Sequence, residues 1–191
     1  MARIACIGSR ELAGEWLNVC EKLGEWIVRC GHVVESGNAQ GADQAFARGG
    51  NRVDPTKVHL HLPWLSYERS ALVLGNHVDV LASMGDKEQQ TYKNYAKAHH
   101  PAWFRLSNGG QLLHARNGRI LFPNGYPGKP VDLVLAWPSR KLGGGGTGHG
   151  MRVAQAEGIP LVNLNELHID TEPGAPQPDL HALCEQIRKM K

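Results

Sequence analysis

The sequence lacks most features that mark export, a membrane or a metal. None of its 191 residues belongs to an apolar segment of about 18 residues or to a secretory signal, so neither membrane insertion nor export is predicted. The four cysteines show neither CxxC pairing nor zinc-like spacing, and we expect reduced thiols in a cytoplasmic protein. The histidines have no accompanying ligand spacing, so we predict no metal and no cofactor.

Charge and composition leave small anionic ligands open as partners. Lys and Arg number 21 against 18 Asp and Glu, a net charge of +3, and no basic run indicates a footprint on a duplex. This slight excess fits a binder of anionic small molecules as well as a weak nucleic-acid binder. With 41% hydrophobic residues, the chain can bury one core, so we predict a single domain over residues 1–191.

The most informative stretch is residues 131–164. Val131 to Ala136 is a nearly continuous apolar run, typical of a strand buried on both faces of a parallel sheet. Pro138 ends strand pairing, and four glycines at 143–146 can turn the backbone at positive φ. Thr147 stands where an N-cap would stand, so we predict a helix after it and a short strand at 161–164. The glycine-rich loop then lies at the carboxyl end of a strand, where open parallel sheets bind ligands.

Such a loop suits a phosphate. Main-chain N–H groups and the positive end of the helix dipole can converge on an anion where no side chain intervenes. Arg140 and Lys141 add positive charge beside it. The alternative interpretation is a flexible glycine linker, which the flanking apolar strand and capped helix disfavour.

Two earlier strand ends carry similar loops of small residues. An apolar strand over 3–7 runs into Gly8-Ser9-Arg10, and a helix follows over 12–30. A second strand at 32–35 stops at the loop 36–43, which precedes a short helix. Three such loops on one edge of a sheet make a single crevice. We therefore predict an α/β, Rossmann-like fold, with a largely parallel sheet of five or more strands and helices on both faces.

The middle of the chain, about 63–129, is predicted as a helical insertion. It follows a third strand at 58–62 and contains a buried helix at 72–81, a polar helix at 87–99 and a helix with an apolar face at 111–122. These helices must cover something, either their own sheet or a second copy of the chain. We predict a homo-oligomer.

Three motifs, in this order along the chain, resemble the SMF/DprA and LOG superfamily of Rossmann-like nucleotide binders. They are IGSR after the first strand, ESGNAQGAD after the second, and LAWPSRKLGGGGTGHG near the end. The helical segment His114-Ala115-Arg116-Asn117 is also similar to small phage-encoded members. The resemblance implies a nucleotide-type ligand at the strand ends.

Two departures limit what the resemblance implies. In LOG phosphoribohydrolases a glutamate tied to N-glycosidic cleavage comes three residues after the threonine, whereas here Thr147 is followed by Gly148, His149 and Gly150. Asn38 stands where DprA-like members have a glycine, and nothing resembles an additional winged-helix domain. Neither the LOG cleavage activity nor full recombination-mediator function is therefore implied.

The residues that the loops and the resemblance place at the ligand are small, polar or basic. The predicted ligand-binding set is Gly8, Ser9, Arg10, Ser36, Gly37, Asn38, Gly41, Asp43, Arg116, Asn117, Trp137, Arg140, Gly144, Gly145, Gly146 and Thr147. Arg116 and Asn117 bind phosphate and a base or sugar hydroxyl if they turn inward, and otherwise lie on a solvated helix face. Asp43 has the alternative role of a helix cap. Trp137 either stacks on a base or packs as a lid.

Two residues are candidates for acid or base chemistry. Glu35 ends a mostly apolar strand, where burial would raise its pKa into a useful range. His149 could bond a phosphate or protonate a leaving group from the glycine loop.

Three functions fit these features. The chain binds a nucleotide or nucleotide-derived signalling molecule as a phage- or defence-related sponge or sensor, or cleaves one as an N-glycosidase with Glu35 or His149 in place of the missing glutamate. The third is a DprA-like protein that holds single-stranded DNA. Turnover separates the first two, and salt-dependent oligonucleotide binding identifies the third.

Overall fold

The structure is a computed structural model that describes residues 1–139, 145–169 and 178–190. Within these ranges, six strands form one parallel sheet in the order β4-β3-β2-β1-β5-β6. The strands are β1 (Arg3–Gly8), β2 (Val33–Ser36), β3 (Val58–Leu62), β4 (His77–Val80), β5 (Leu133–Trp137) and β6 (Leu161–Asn163). The helices are α1 (Glu15–Arg29), α2 (Ala42–Asn51), α3 (Asp86–Ala98), α4 (Asn108–Leu121), α5 (Gly145–Ala156) and α6 (Pro178–Lys189). The predicted α/β fold is confirmed.

Both faces of the sheet are covered by helices, as predicted. Alternate residues of β1, such as Ile4 and Cys6, pack in one core cluster with α1, α2 and α6. Their neighbours Ala5 and Ile7 pack in a second cluster with buried residues of α3, α4 and α5. The period of two along β1 therefore separates the two layers of helices.

The strand order changes direction at β1. The chain proceeds outward from β1 through β2 and β3 to β4, then returns to place β5 on the other side of β1. The helix after β1 packs on one face of the sheet and the helix after β5 packs on the other. The loops at Gly8 and Trp137, which are register partners, therefore diverge and open a crevice between them.

The middle segment contains two of the three helices that were predicted there, and the third prediction is wrong. Helices α3 and α4 match the predictions for 87–99 and 111–122. The predicted buried helix at 72–81 is instead a turn followed by the edge strand β4. Gly75 adopts φ +101° in that turn, and Leu74 is 98% exposed. Across the described ranges, no helix has both the length and the apolar character needed to cross a membrane.

Candidate functional site

A cavity of about 430 Å³ lies at the crevice between β1 and β5. Three segments wall it: the loop after β1, the first residues of α5, and one face of α4. The volume falls in the range of roughly 300–1,000 Å³ that small-molecule sites occupy. The cavity therefore has the place and the size of a ligand site in an open α/β sheet.

Part of the predicted ligand-binding set lines this cavity. The lining members of that set are Gly8, Ser9, Arg10, Asp43, Arg116, Asn117, Gly145, Gly146 and Thr147. Two others, Arg140 and Gly144, lie outside the described residues. The remaining members do not line the cavity; they are Ser36, Gly37, Asn38, Gly41 and Trp137.

Arg116 is the most unusual side chain of the site. It is turned into the protein and is only 5% exposed, so it does not lie on a solvated helix face. Its Nη1 is 3.7 Å from Asp43 Oδ2, and its guanidinium carbon lies 5.8 Å from the centroid of the Tyr67 ring. Its Nε is buried without a hydrogen-bond partner. A buried cation with an unsatisfied donor at a cavity wall is suited to an incoming anion.

The second predicted loop supports Arg116 and the first loop rather than facing the cavity. A Cβ on Gly37 would lie 1.2 Å from Arg116 Nη1, so only glycine leaves room for the guanidinium. A Cβ on Gly41 would lie 2.4 Å from the carbonyl oxygen of Ser9, and Gly41 adopts φ +82°. Asn38, at φ 58°, donates from Nδ2 to the carbonyl oxygen of Glu68 at 3.0 Å. These residues position the loop after β1, which faces the cavity, and the side chain of Arg116.

Asp43 ties the two loops together. Its Oδ1 accepts a hydrogen bond from the N–H of Gly8 at 2.8 Å. Asp43 is inside α2, whose N-cap is Gly41, so the cap alternative is wrong. Burial raises the pKa of Asp43 above its usual value, while Arg116 and backbone N–H groups, including that of Gly8, oppose the rise. The carboxylate therefore serves the geometry of the crevice.

The start of α5 provides backbone without side chains. Gly145 adopts φ +53°, and the carbonyl oxygen of Gly146 accepts a hydrogen bond from Asn117 Nδ2 at 3.0 Å. Thr147 is the third residue of α5 rather than its N-cap, so that prediction is wrong. The first N–H groups of a helix have no intrahelical partners and carry partial positive charge. They therefore reinforce Arg116 at the same cavity.

Gly146→Val should lower affinity for a phosphate-bearing ligand at least about tenfold, or 1.4 kcal/mol, while leaving the fold intact. A Cβ at Gly146 has Asn117 Nδ2 at 3.8 Å as its nearest neighbour, so the side chain would enter open space at the cavity. Calorimetric titration measures the affinity and thermal unfolding checks the fold. Gly85→Val is the control, because a Cβ at Gly85 would have no other atom within 4 Å. Gly14→Val cannot serve, because Gly14 has a positive φ that valine would strain. Equal affinities for Gly146→Val and the parent would contradict the prediction.

Glu35 is buried away from this cavity, and the predicted direction of its pKa is wrong. Its carboxylate contacts Arg3 and accepts from His61 Nε2 at 2.7 Å, with His59 Nδ1 at 3.3 Å. Burial alone would raise the pKa of Glu35, but the hydrogen bonds and charges of His59 and His61 lower it to about 2. The carboxylate is therefore ionised and engaged within the sheet.

His149 belongs to a cluster of three imidazoles that contact one another edge-on or at a tilt. It is 1% exposed, and its Nε2 lies 3.2 Å from the carbonyl oxygen of Ala96. Its ring centroid is 4.7 Å from that of His114 and 5.7 Å from that of His100. Among the residues that the structure describes, no three His, Cys, Asp or Glu side chains are placed to hold a metal ion. Only His114 of the three lines the cavity.

Trp137 packs rather than stacking on a ligand in this cavity. It is buried in the core cluster with α1, and its ring centroid lies 5.4 Å from that of Trp16 at an interplanar angle of 60°. Between the two alternatives for Trp137, packing describes its surroundings. Trp16, on α1, is the ring that packs against it.

Several lining residues were missed by the sequence argument. They are Ile7, Glu11, Ala39, Gly110, Leu113, His114 and Ser139. Gly110, Leu113, His114 and Asn117 follow the 3–4 spacing of one helix face. That spacing was a usable signal once Asn117 was placed at the ligand. Glu11 and Ser139 carried no comparable signal.

The chain has little detectable similarity to characterised proteins. Neither a family model nor a curated protein sequence matches it. Among solved structures, the X-ray structure of DNA processing protein A (DprA) from Streptococcus pneumoniae is similar, with a TM-score of 0.41 and 17% sequence identity. The match covers 89% of this chain and 63% of that one.

Proposed function

We propose that this protein binds a nucleotide or nucleotide-derived signalling molecule in the cavity at the β1–β5 crevice. The observation that carries the proposal is Arg116, a buried cation with an unpartnered Nε at the cavity wall. The glycine-bearing start of α5 adds backbone donors for a phosphate on the same cavity. A cytoplasmic role as a phage- or defence-related sponge or sensor fits a site built for capture.

The two alternative functions have less support from the geometry. The N-glycosidase predicted from the sequence uses Glu35 or His149 as its acid or base, and neither of these two residues lines the cavity. A site for single-stranded DNA needs a groove that follows several phosphates, whereas, among the described residues, the arginines that line this cavity are Arg10 and Arg116. Capture of one compact ligand fits the cavity better.

A direct test is mass spectrometry of small molecules released from the denatured protein, followed by titration with a nucleotide panel. We expect a phosphate-bearing compound and stoichiometric binding without release of free base. Free base on chromatography would favour the N-glycosidase. Oligonucleotide binding whose affinity falls steeply with salt would favour the DNA-binding alternative, because contacts along a strand release counterions. No nucleotide binding at all would reject the proposal.

Ligand binding should draw a proton onto His114. Burial and, to a smaller extent, the positive charges of His100, Arg116 and Arg152 together lower the pKa of His114 to about 4. His149 stands against the same ring, and His114 Nδ1 is buried without a partner. An anion in the cavity opposes these effects and raises the pKa of His114. Binding of the anion therefore tightens as the pH falls towards that raised pKa.

The proton uptake is measured by calorimetry at pH 6 in buffers of different ionisation enthalpy, with a ligand whose phosphates do not titrate there. We expect a net uptake for the parent and none for His114→Asn. His77→Asn is a control, because His77 is exposed and lies on β4. Buffer-independent heats for the parent would contradict the prediction.

We also propose that copies of the chain associate. The segments before β4 contain three exposed apolar side chains, Leu65, Val73 and Leu74. Strand β4 lies at the edge of the sheet. Exposed apolar residues beside an open strand edge favour association. Light scattering at micromolar concentration should give about twice the chain mass of 20.9 kDa. A mass equal to that of one chain would contradict this expectation.

A further inference from the structure

A second cavity, of about 710 Å³, opens on the other side of the same crevice. It lies between the residues that precede α1, the end of β5 and the segment after β6. Ser9, Glu11 and Ser139 line both cavities, so the two spaces meet at these residues. The first cavity alone has the volume of a small-molecule site. The second therefore has room for a further part of a ligand.

The second cavity has an aromatic wall. Trp16 and Trp137 both line it, and since Trp137 is buried beneath its partner, Trp16 presents the more accessible ring. Leu12, Leu164 and Leu167 add apolar surface. A flat ring with apolar neighbours can stack on any of the nucleobases, because every base has a π-face.

The junction between the cavities differs from both. Ser9 and Ser139 line it with hydroxyl groups, and Glu11 lines it with a carboxylate. Such polar groups exchange hydrogen bonds with sugar hydroxyls. Arg116 attracts phosphates further into the first cavity, which leaves the junction for a sugar.

We infer that the two cavities hold one ligand with two nucleoside ends, a dinucleoside polyphosphate or a similar nucleotide conjugate. One base lies against Trp16 in the second cavity, its sugar lies at Ser9 and Glu11, and the phosphates and the second end lie in the first cavity. This inference rests on the proposed function and specifies the class of its ligand.

The test is calorimetric titration with the four nucleoside 5′-monophosphates and with the four matching dinucleoside diphosphates. Each dinucleoside diphosphate carries the same nucleoside at both ends. The best dinucleoside diphosphate should bind at least about tenfold more tightly than its monophosphate, the scale of one base stacked on an aromatic side chain. Trp16→Leu should remove most of this advantage, and Trp16→Phe should retain it.

Trp26→Leu is the matched control. Trp26 lies on the same helix and packs against the same core cluster, but it lines neither cavity, so the advantage should persist. Equal affinities for the two ligand types, or an advantage that Trp16→Leu leaves unchanged, would overturn the inference while the proposed function stands. Failure of every compound to bind would reject both.

Discussion

Arg116→Met should weaken nucleotide binding by about 2 kcal/mol, roughly 30-fold, the scale of losing a charged hydrogen bond. The guanidinium lines the cavity, and its Nε is buried without a partner, so its positive charge is placed to attract a phosphate. Methionine keeps the apolar length of the side chain and removes the charge. Calorimetric titration of the parent and the variant with the same nucleotide measures the change.

Two further variants separate charge from position. Gly37→Ala places a Cβ 1.2 Å from Arg116 Nη1, which must displace the guanidinium, so affinity should fall although the arginine is still present. Arg48→Met removes a cation that pairs with Glu21 on the surface and lines neither cavity, so affinity should be unchanged. If Arg116→Met binds like the parent, Arg116 is not part of the site.

Arg116→Met also has a structural consequence that the measurement must take into account. Asp43 would lose the cation 3.7 Å from its carboxylate and would remain buried, although it keeps the N–H of Gly8. Removing one member of a buried pair is destabilising. The double variant Arg116→Met with Asp43→Asn removes the unpaired charge. It should recover stability without recovering affinity.

The sequence was sufficient for the strands next to the site. Continuous apolar runs followed by small residues predicted β1, β2 and β5 and the order of loops on one edge. The sequence did not show which loops would face the ligand. Gly37 and Asn38 support the neighbouring elements instead. Gly37 leaves room for Arg116, and the sequence does not reveal this contact because the two residues are 79 positions apart in the chain.

The segment at 72–81 failed for a different reason. Its short apolar run fits a buried helix and a strand equally well by periodicity. The turn that decides between them depends on Gly75 at φ +101° and on Asn76, whose Oδ1 accepts from the N–H of Val73 at 3.0 Å. Pairing of β4 with β3 then completes the edge of the sheet. The distinguishing contacts are partly non-local and leave no periodic signal.

The pKa of Glu35 was also beyond the sequence. Burial of a carboxyl group raises its pKa, and the apolar context of β2 indicated burial correctly. The opposing effect comes from the strand register, which places Glu35 beside His59 and brings His61 Nε2 to 2.7 Å from the carboxylate. A register between strands 24 residues apart cannot be read from either strand alone.

Glu35→Gln should destabilise the fold by about 3 kcal/mol at pH 7. The pKa of Glu35 is about 2 in the folded protein against an ordinary value near 4.3, and each pKa unit corresponds to about 1.4 kcal/mol. Because the folded-state pKa is lowered, the stabilisation is fully present above the unfolded pKa and is lost as the pH falls towards 2. The difference between parent and variant should therefore shrink by about half between pH 7 and pH 3.

Urea unfolding at several pH values measures this difference, and Glu25→Gln provides the control. Glu25 pairs with Arg29 one turn away on α1, and both side chains are far more exposed than Glu35. Exposed pairs of this kind contribute about 0.5 kcal/mol or less, so the control should unfold like the parent at every pH. A loss for Glu35→Gln that is small or independent of pH would show that the ionised carboxylate does not stabilise the sheet. A large, pH-dependent loss with nucleotide affinity intact would assign Glu35 to the fold and leave the chemistry of the crevice to Arg116 and α5.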